Sequence, residues 1–155
     1  MELSRFRKKK VTKKKIAFVV GGSGFTPFYR LLKEALENND PTQFTLIYAN
    51  TTENDFMFGA EIDEWAKKYP ERFTYVKLVS RPIDESKLGG ATVGKIDEDF
   101  LRKHLPPPSE DVLIVNMGPE GFNEYFGKLM VDKFDYDLNT MIFSRDVEKL
   151  LKEKK

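Results

Sequence analysis

Three short segments carry residue types that can hold a phosphate-bearing ligand. The first, Gly21-Gly22-Ser23-Gly24-Phe25-Thr26-Pro27, follows the apolar run Ile16 to Val20. Glycines there let backbone N–H groups approach an anion, and the start of a following helix favours phosphate. The second is Val79-Ser80-Arg81-Pro82, where a hydroxyl beside a guanidinium can clamp a phosphate monoester. The third, Asn116-Met117-Gly118-Pro119-Glu120-Gly121-Phe122, breaks an apolar run at Gly-Pro and offers Met117 and backbone amides to a cleft. The first two have plainer readings: glycine after a strand is ordinary turn chemistry, and Arg81 could simply open a surface loop.

Two common phosphate-binding patterns do not fit. Gly22-x-Gly24 has Pro27 where the dinucleotide fingerprint needs a third glycine, and the next strand ends in Asn50 rather than an acid. The lysine of an ATP-type phosphate loop is missing too. With no cysteine in 155 residues, disulfides, thiolate metal sites and a cysteine nucleophile are excluded, and a single histidine, His104, leaves little for a zinc site or a triad.

Those segments sit in a strand–helix alternation. The strands are read at Ile16 to Val20, Phe44 to Ala49, Phe73 to Val79, Val112 to Met117 and Thr140 to Phe143. Thr26 caps the first helix, Pro27 suits its first turn, and Phe28, Leu31, Leu32 and Leu36 keep helical spacing. Further helices are expected from Phe56 to Tyr69, Ile96 to Leu105 and Phe122 to about Val131. The polar stretch Arg81 to Gly94 is a loop with room for a short irregular strand. The fold class is therefore α/β: a doubly wound, five-stranded parallel sheet with helices on both faces. In such sheets ligands bind beyond the carboxyl ends of the strands, where all three segments fall.

The chain has 40% hydrophobic and 33% charged residues and no run near the roughly 20 apolar residues of a membrane span. Residues 1–15 form a basic arm, with eight basic side chains against Glu2, while the other 140 residues carry 18 basic and 24 acidic ones. Such an arm can be a solvated tail, a targeting peptide, or a contact for phosphate, membrane or a partner protein. It lacks the arginine–serine character of a transit peptide and the apolar core of a signal peptide. With Phe6 its only aromatic, it promises nucleic acid non-specific attraction at most. Residues 16–143 form one domain, and residues 144–155 an amphipathic C-terminal tail. An intracellular location, cytoplasmic or mitochondrial, is expected.

As a set, the motifs resemble the nicotinamide-nucleotide domain of the ferredoxin–NADP reductase superfamily, most closely the cytochrome b5 reductase type. Gly21 to Pro27 matches its GG(T/S)G-(I/F)-TP loop, and Leu46 to Asp55 its segment lyANxTExDi. The run Phe100 to Pro108 resembles its helix and proline stop, and Met117 to Glu120 its Cys-Gly-Pro-Pro turn. The resemblance spans about Ile16 to Phe143.

It implies binding of NADH or NADPH, with the hydride passing to FAD held by another domain or subunit. Gly22, Ser23, Gly24, Thr26 and Pro27 would then lie on the pyrophosphate side, with Asn50 at the end of the second strand. Met117, Gly118, Pro119 and Phe122 would border the nicotinamide. Ser80 stands where NADH-preferring relatives carry an acid, and Ser80-Arg81 resembles NADPH users, so NADPH is expected to be tolerated.

The sequence also departs from the family. Nothing upstream of Ile16 forms a flavin barrel, no Arg-x-Tyr-Ser flavin motif is present, Met117 replaces a cysteine, and the chain continues beyond Phe143. A chain of this kind is not expected to be active without a flavin domain. The alternative is an inactive reductase-like domain serving as a structural or accessory subunit of a larger assembly.

Overall fold

The computed structural model describes residues 2–3, 11–137 and 140–142. Phe143, the proposed tail and most of the basic arm lie outside the described residues. Within the arm, β1 (Glu2–Leu3) pairs antiparallel with β2 (Val11–Thr12).

The main sheet contains β3 (Lys15–Gly21), β4 (Gln43–Asn50), β5 (Phe73–Val79), β6 (Thr92–Val93), β7 (Val112–Met117) and β8 (Met141–Ile142). Their order is β6-β5-β4-β3-β7-β8, and every neighbouring pair is parallel. The five expected strands are present. The sixth, β6, is a two-residue edge strand from the polar loop, paired through Leu78 and Val79. From central β3 the chain steps outward through β4 and β5, then returns to the opposite side of β3 as β7. The crevice between β3 and β7 is therefore the switch point of the sheet.

Four helices, α1 (Thr26–Glu37), α2 (Gly59–Lys68), α3 (Glu98–His104) and α4 (Glu120–Lys133), cover the two faces. Successive side chains of a strand alternate between faces, and β3 divides accordingly. Ile16, Phe18 and Val20 join a core with Phe28, Leu32 and Leu36 of α1 and Ile62 and Trp65 of α2. Ala17 and Val19 join a second core with Leu101 of α3 and Phe126 and Met130 of α4. Cover on both sides explains why β3 and β7 read as nearly continuous apolar runs, interrupted in β7 by buried Asn116, whose amide donates to the Val19 carbonyl.

Helix starts differ from the expected ones where local polar bonds intervene. A 3-10 turn, Gly22–Phe25, runs directly into α1, so Phe25 holds the cap position and Thr26 the first helical one. Helix α2 begins at Gly59 rather than Phe56. Thr52 and Asp55 close a reciprocal capping box around the 3-10 turn Glu53–Asp55, and Phe58 then takes a left-handed conformation, φ 58°. Helix α3 starts at Glu98 because the Asp97 carboxylate accepts the Phe100 N–H at 2.8 Å. Among the described residues no helix is long and apolar enough to cross a membrane.

Candidate functional site

The carboxyl ends of β3, β4, β5 and β7 surround a cavity of about 690 Å³, within the range of small-molecule and cofactor sites. Gly21, Gly22 and Ser23 form its floor after β3, and Ala49, Asn50 and Thr51 follow from β4. Ser80, Gly94, Lys95 and Ile96 line it from the segment after β5, and Pro119, Phe122 and Tyr125 from the turn into α4 and its first turns.

Six residues expected from the sequence line this space: Gly22, Ser23, Asn50, Ser80, Pro119 and Phe122. The remaining ones occupy its surroundings. Gly24 is buried, and a Cβ there would stand 2.4 Å from the Met117 carbonyl oxygen and 3.0 Å from Gly118 Cα. Its lack of a side chain thus lets the first turn pack backbone-to-backbone on the third. Met117 and Gly118 are half-buried behind that contact. Thr26 and Pro27 are exposed on the first turn of α1, with the Thr26 hydroxyl 3.7 Å from the Met57 sulfur. Arg81 is exposed and off the cavity wall, although its N–H reaches the Thr51 carbonyl at 2.8 Å.

The aromatic wall is packed tightly onto backbone. A Cβ at Gly118 would lie 2.7 Å from the Phe122 ring, and one at Gly21 would lie 3.1 Å from it. Phe122 therefore rests on the two strand-end glycines of the switch point. The Asn123 amide donates to the Gly118 carbonyl at 2.7 Å and holds the turn into α4.

Asn50 is chemically conspicuous. It is 7% exposed, yet neither its amide nitrogen nor its amide oxygen has a hydrogen-bond partner among the described residues. An unsatisfied buried polar group costs about 1–3 kcal/mol. Asn50 also lines the cavity, so an amide with an unused donor and an unused acceptor lies at the ligand edge of the sheet.

The two loops beside Asn50 are zipped together past the ends of their strands. Ser80 N–H donates to the Asn50 carbonyl at 3.1 Å, and the Arg81 N–H bond follows. The Glu53 carboxylate then accepts the N–H groups of Ile83 and Asp84 at 2.9 and 2.7 Å. The Ile83 N–H, ahead of lesser donors, holds that carboxyl below the ordinary range. Farther along, Lys77 Nζ bridges Asp63 and the Gly89 carbonyl, and the Tyr125 hydroxyl donates to the Ile96 carbonyl at 2.7 Å.

Lys95, Ile96 and Tyr125 were absent from the sequence-derived site. For Lys95 and Ile96 the local signal is Gly94, whose φ of 151° marks a backbone conformation suited to glycine where the loop turns back to the sheet; Tyr125 lies within α4 and has no such marker. His104 does not line the cavity and packs on Phe100. No cluster of three metal-ligating side chains occurs among the described residues.

Comparison with known proteins agrees with this geometry. The oxidoreductase NAD-binding domain family matches residues 18–128. Nitrate reductase [NADH] 1 of Oryza sativa subsp. japonica is 34% identical over 130 residues, covering 81% of this chain and 14% of that protein. NADH-cytochrome b5 reductase 2 of Xenopus laevis is 38% identical over 107 residues, covering 68% of this chain and 35% of the relative. The crystal structure of the cytochrome b5 reductase domain of Ulva prolifera nitrate reductase superposes with a TM-score of 0.74 at 30% identity, covering 87% of this chain and 51% of that one. The chain thus spans only a small part of the nitrate reductases it matches. With a matched segment running from β3 into α4 and a crevice at the family's sheet edge, the chain belongs to the oxidoreductase NAD-binding domain family, within the cytochrome b5 reductase and ferredoxin–NADP reductase superfamily.

Proposed function

We propose that this chain binds NADH or NADPH across the β3–β7 crevice and presents the nicotinamide to FAD held by another domain or subunit. The observation that carries the reading is the Asn50 amide, buried on the cavity wall with both polar atoms unpartnered. A ribose or amide of the nucleotide supplies the missing donor and acceptor. Gly22 and Ser23 take the pyrophosphate, and Pro119 and Phe122 border the nicotinamide. The nucleotide supplies the hydride; the residues of this chain bind, orient and exclude water.

The nucleotide choice rests on Ser80 and Lys95. Both line the wall beyond Asn50, where a hydroxyl and an ammonium suit a 2′-phosphate and where no carboxylate side chain stands at position 80 to repel it. Lys95, from the far end of the loop, takes the role that the sequence alone gave to Arg81. Calorimetric titration of the full chain with NADH, NADPH and ADP-ribose at low salt tests the reading. Saturable binding of all three is expected, with NADPH at least matching NADH. A folded protein that binds none of them would refute it.

A further inference from the structure

The Tyr48 side chain belongs to β4 and is fully buried, 0% exposed, yet its hydroxyl reaches the floor of the crevice. It lies 3.0 Å from the Gly22 carbonyl oxygen and 3.3 Å from the Met57 nitrogen. The Met57 N–H can only donate and the Gly22 carbonyl can only accept. The hydroxyl proton is therefore committed to Gly22, and a hydroxyl lone pair to Met57.

That assignment fixes the direction of the next peptide. All described peptide bonds are trans, and in a planar trans peptide the carbonyl and the N–H point opposite ways. With its oxygen drawn toward buried Tyr48, the Gly22–Ser23 peptide must aim the Ser23 N–H away from the core. Ser23 is exposed there, and both residues line the cavity. Gly22 has φ 54°, a left-handed conformation open to glycine, and its peptide to Ser23 opens the 3-10 turn Gly22–Phe25, so the Tyr48 hydroxyl adds a side-chain anchor to an orientation the turn already favours. Rotated, it would turn a carbonyl oxygen toward the same space and repel an anion.

We propose that Tyr48 is a positioning residue for the pyrophosphate of the bound nucleotide, its hydroxyl locking the Gly22–Ser23 peptide with the N–H toward the crevice. The inference rests on the nucleotide-binding reading above. Tyr48 touches no ligand; it acts through the peptide. Its ring is held independently, 5.4 Å from Phe25 and 5.1 Å from Phe56 between ring centres. Tyr48→Phe therefore removes the hydroxyl while leaving the aromatic packing in place.

The test compares wild type and Tyr48→Phe, as full chains, with ADP-ribose and with adenosine, which lacks the pyrophosphate. NMR titration reads weak ligands as well as strong ones. ADP-ribose affinity is expected to fall about tenfold in the variant, as for loss of one buried hydrogen-bonding partner, with adenosine within about twofold. Unchanged ADP-ribose binding, or equal losses for both ligands, would overturn the proposal, because a purely structural defect spares neither. A second readout needs no variant: in wild type the Ser23 amide proton should shift downfield as ADP-ribose saturates the protein. Saturation with that resonance unmoved overturns the Tyr48 inference alone. Failure of wild type to bind ADP-ribose at all overturns the nucleotide reading and this inference together.

Discussion

At the scale of single residues, the site combines positions that pack with positions that the proposed function assigns to a ligand, and substitution separates the two. Asn50 is unsatisfied when buried, so Asn50→Leu removes a cost from the free protein and a handle from the ligand. Thermal unfolding of the variant should occur at the wild-type temperature or above it, while NADH affinity drops about tenfold. A variant that unfolds earlier and binds normally would contradict that role. Gly24→Ala should behave oppositely. Its Cβ would meet backbone at 2.4 Å, and backbone cannot swing aside as a side-chain tip can. Destabilisation of about 1–3 kcal/mol is expected from denaturant unfolding. Lys95→Ala should weaken NADPH binding more than NADH binding, and Arg81→Ala should discriminate less; the reverse order would restore the clamp read from sequence. These differences show where residue-level legibility ends. Gly22, Ser23, Asn50 and Ser80 were visible because strand-end glycines and polar residues mark the ligand edge of a parallel sheet. Lys95 was not, because its place depends on where a loop of polar residues returns to the sheet, which periodicity does not encode. Likewise, Gly24 read as an opening toward phosphate, while the close approach it permits is to the third turn.

The element most exposed to failure is the loop between β5 and α3, which contains only the two-residue strand β6 as regular sheet. It forms the Ser80–Ile96 wall and is held by side chains at separated points, Glu53 among them. Its strand was foreseeable only as an irregular possibility, since two residues give no alternation to read. The same limit applies to the start of α2, where apolar spacing from Phe56 looked helical but the capping box at Thr52 and Asp55 settles the preceding turn first. Glu53→Ala should free the Ile83 and Asp84 amides, raising hydrogen exchange through the loop while β3 and β7 stay protected. Slow exchange unchanged at both amides would deny the clip. The carboxylate is the form that accepts these bonds, and the fold holds its pKa below the ordinary glutamate value of about 4.3. Its contribution is thus complete above the unfolded value and is lost as pH falls through the folded one. Exchange at Ile83 and Asp84 should accordingly accelerate in that acidic window in wild type and show no such step in Glu53→Ala.

For the whole molecule, the sheet separates two apolar cores and leaves the ligand edge to loops. This layering was legible because β3 and β7, covered on both faces, are almost entirely apolar, and because helical stripes recur between the strands. The same layering divides the chemistry. The described side chains lining the crevice can bind and orient a nucleotide, but hydride acceptance belongs to cofactor chemistry, not to amino-acid side chains. Binding and turnover should consequently be separable in this chain. The 155-residue protein is expected to bind NADPH saturably, yet to oxidise it no faster than buffer when ferricyanide is the terminal acceptor. Supplying a flavin-loaded barrel domain of the cytochrome b5 reductase type should produce NADPH-dependent reduction that saturates with domain concentration. Free FAD should not substitute for it, since only a docked flavin can be held against the nicotinamide within reach of hydride transfer. Turnover by the chain alone would place an acceptor within it. Tight nucleotide binding with no turnover beside any flavin domain would favour the accessory-subunit alternative, in which the fold retains its crevice but serves the assembly by its surface.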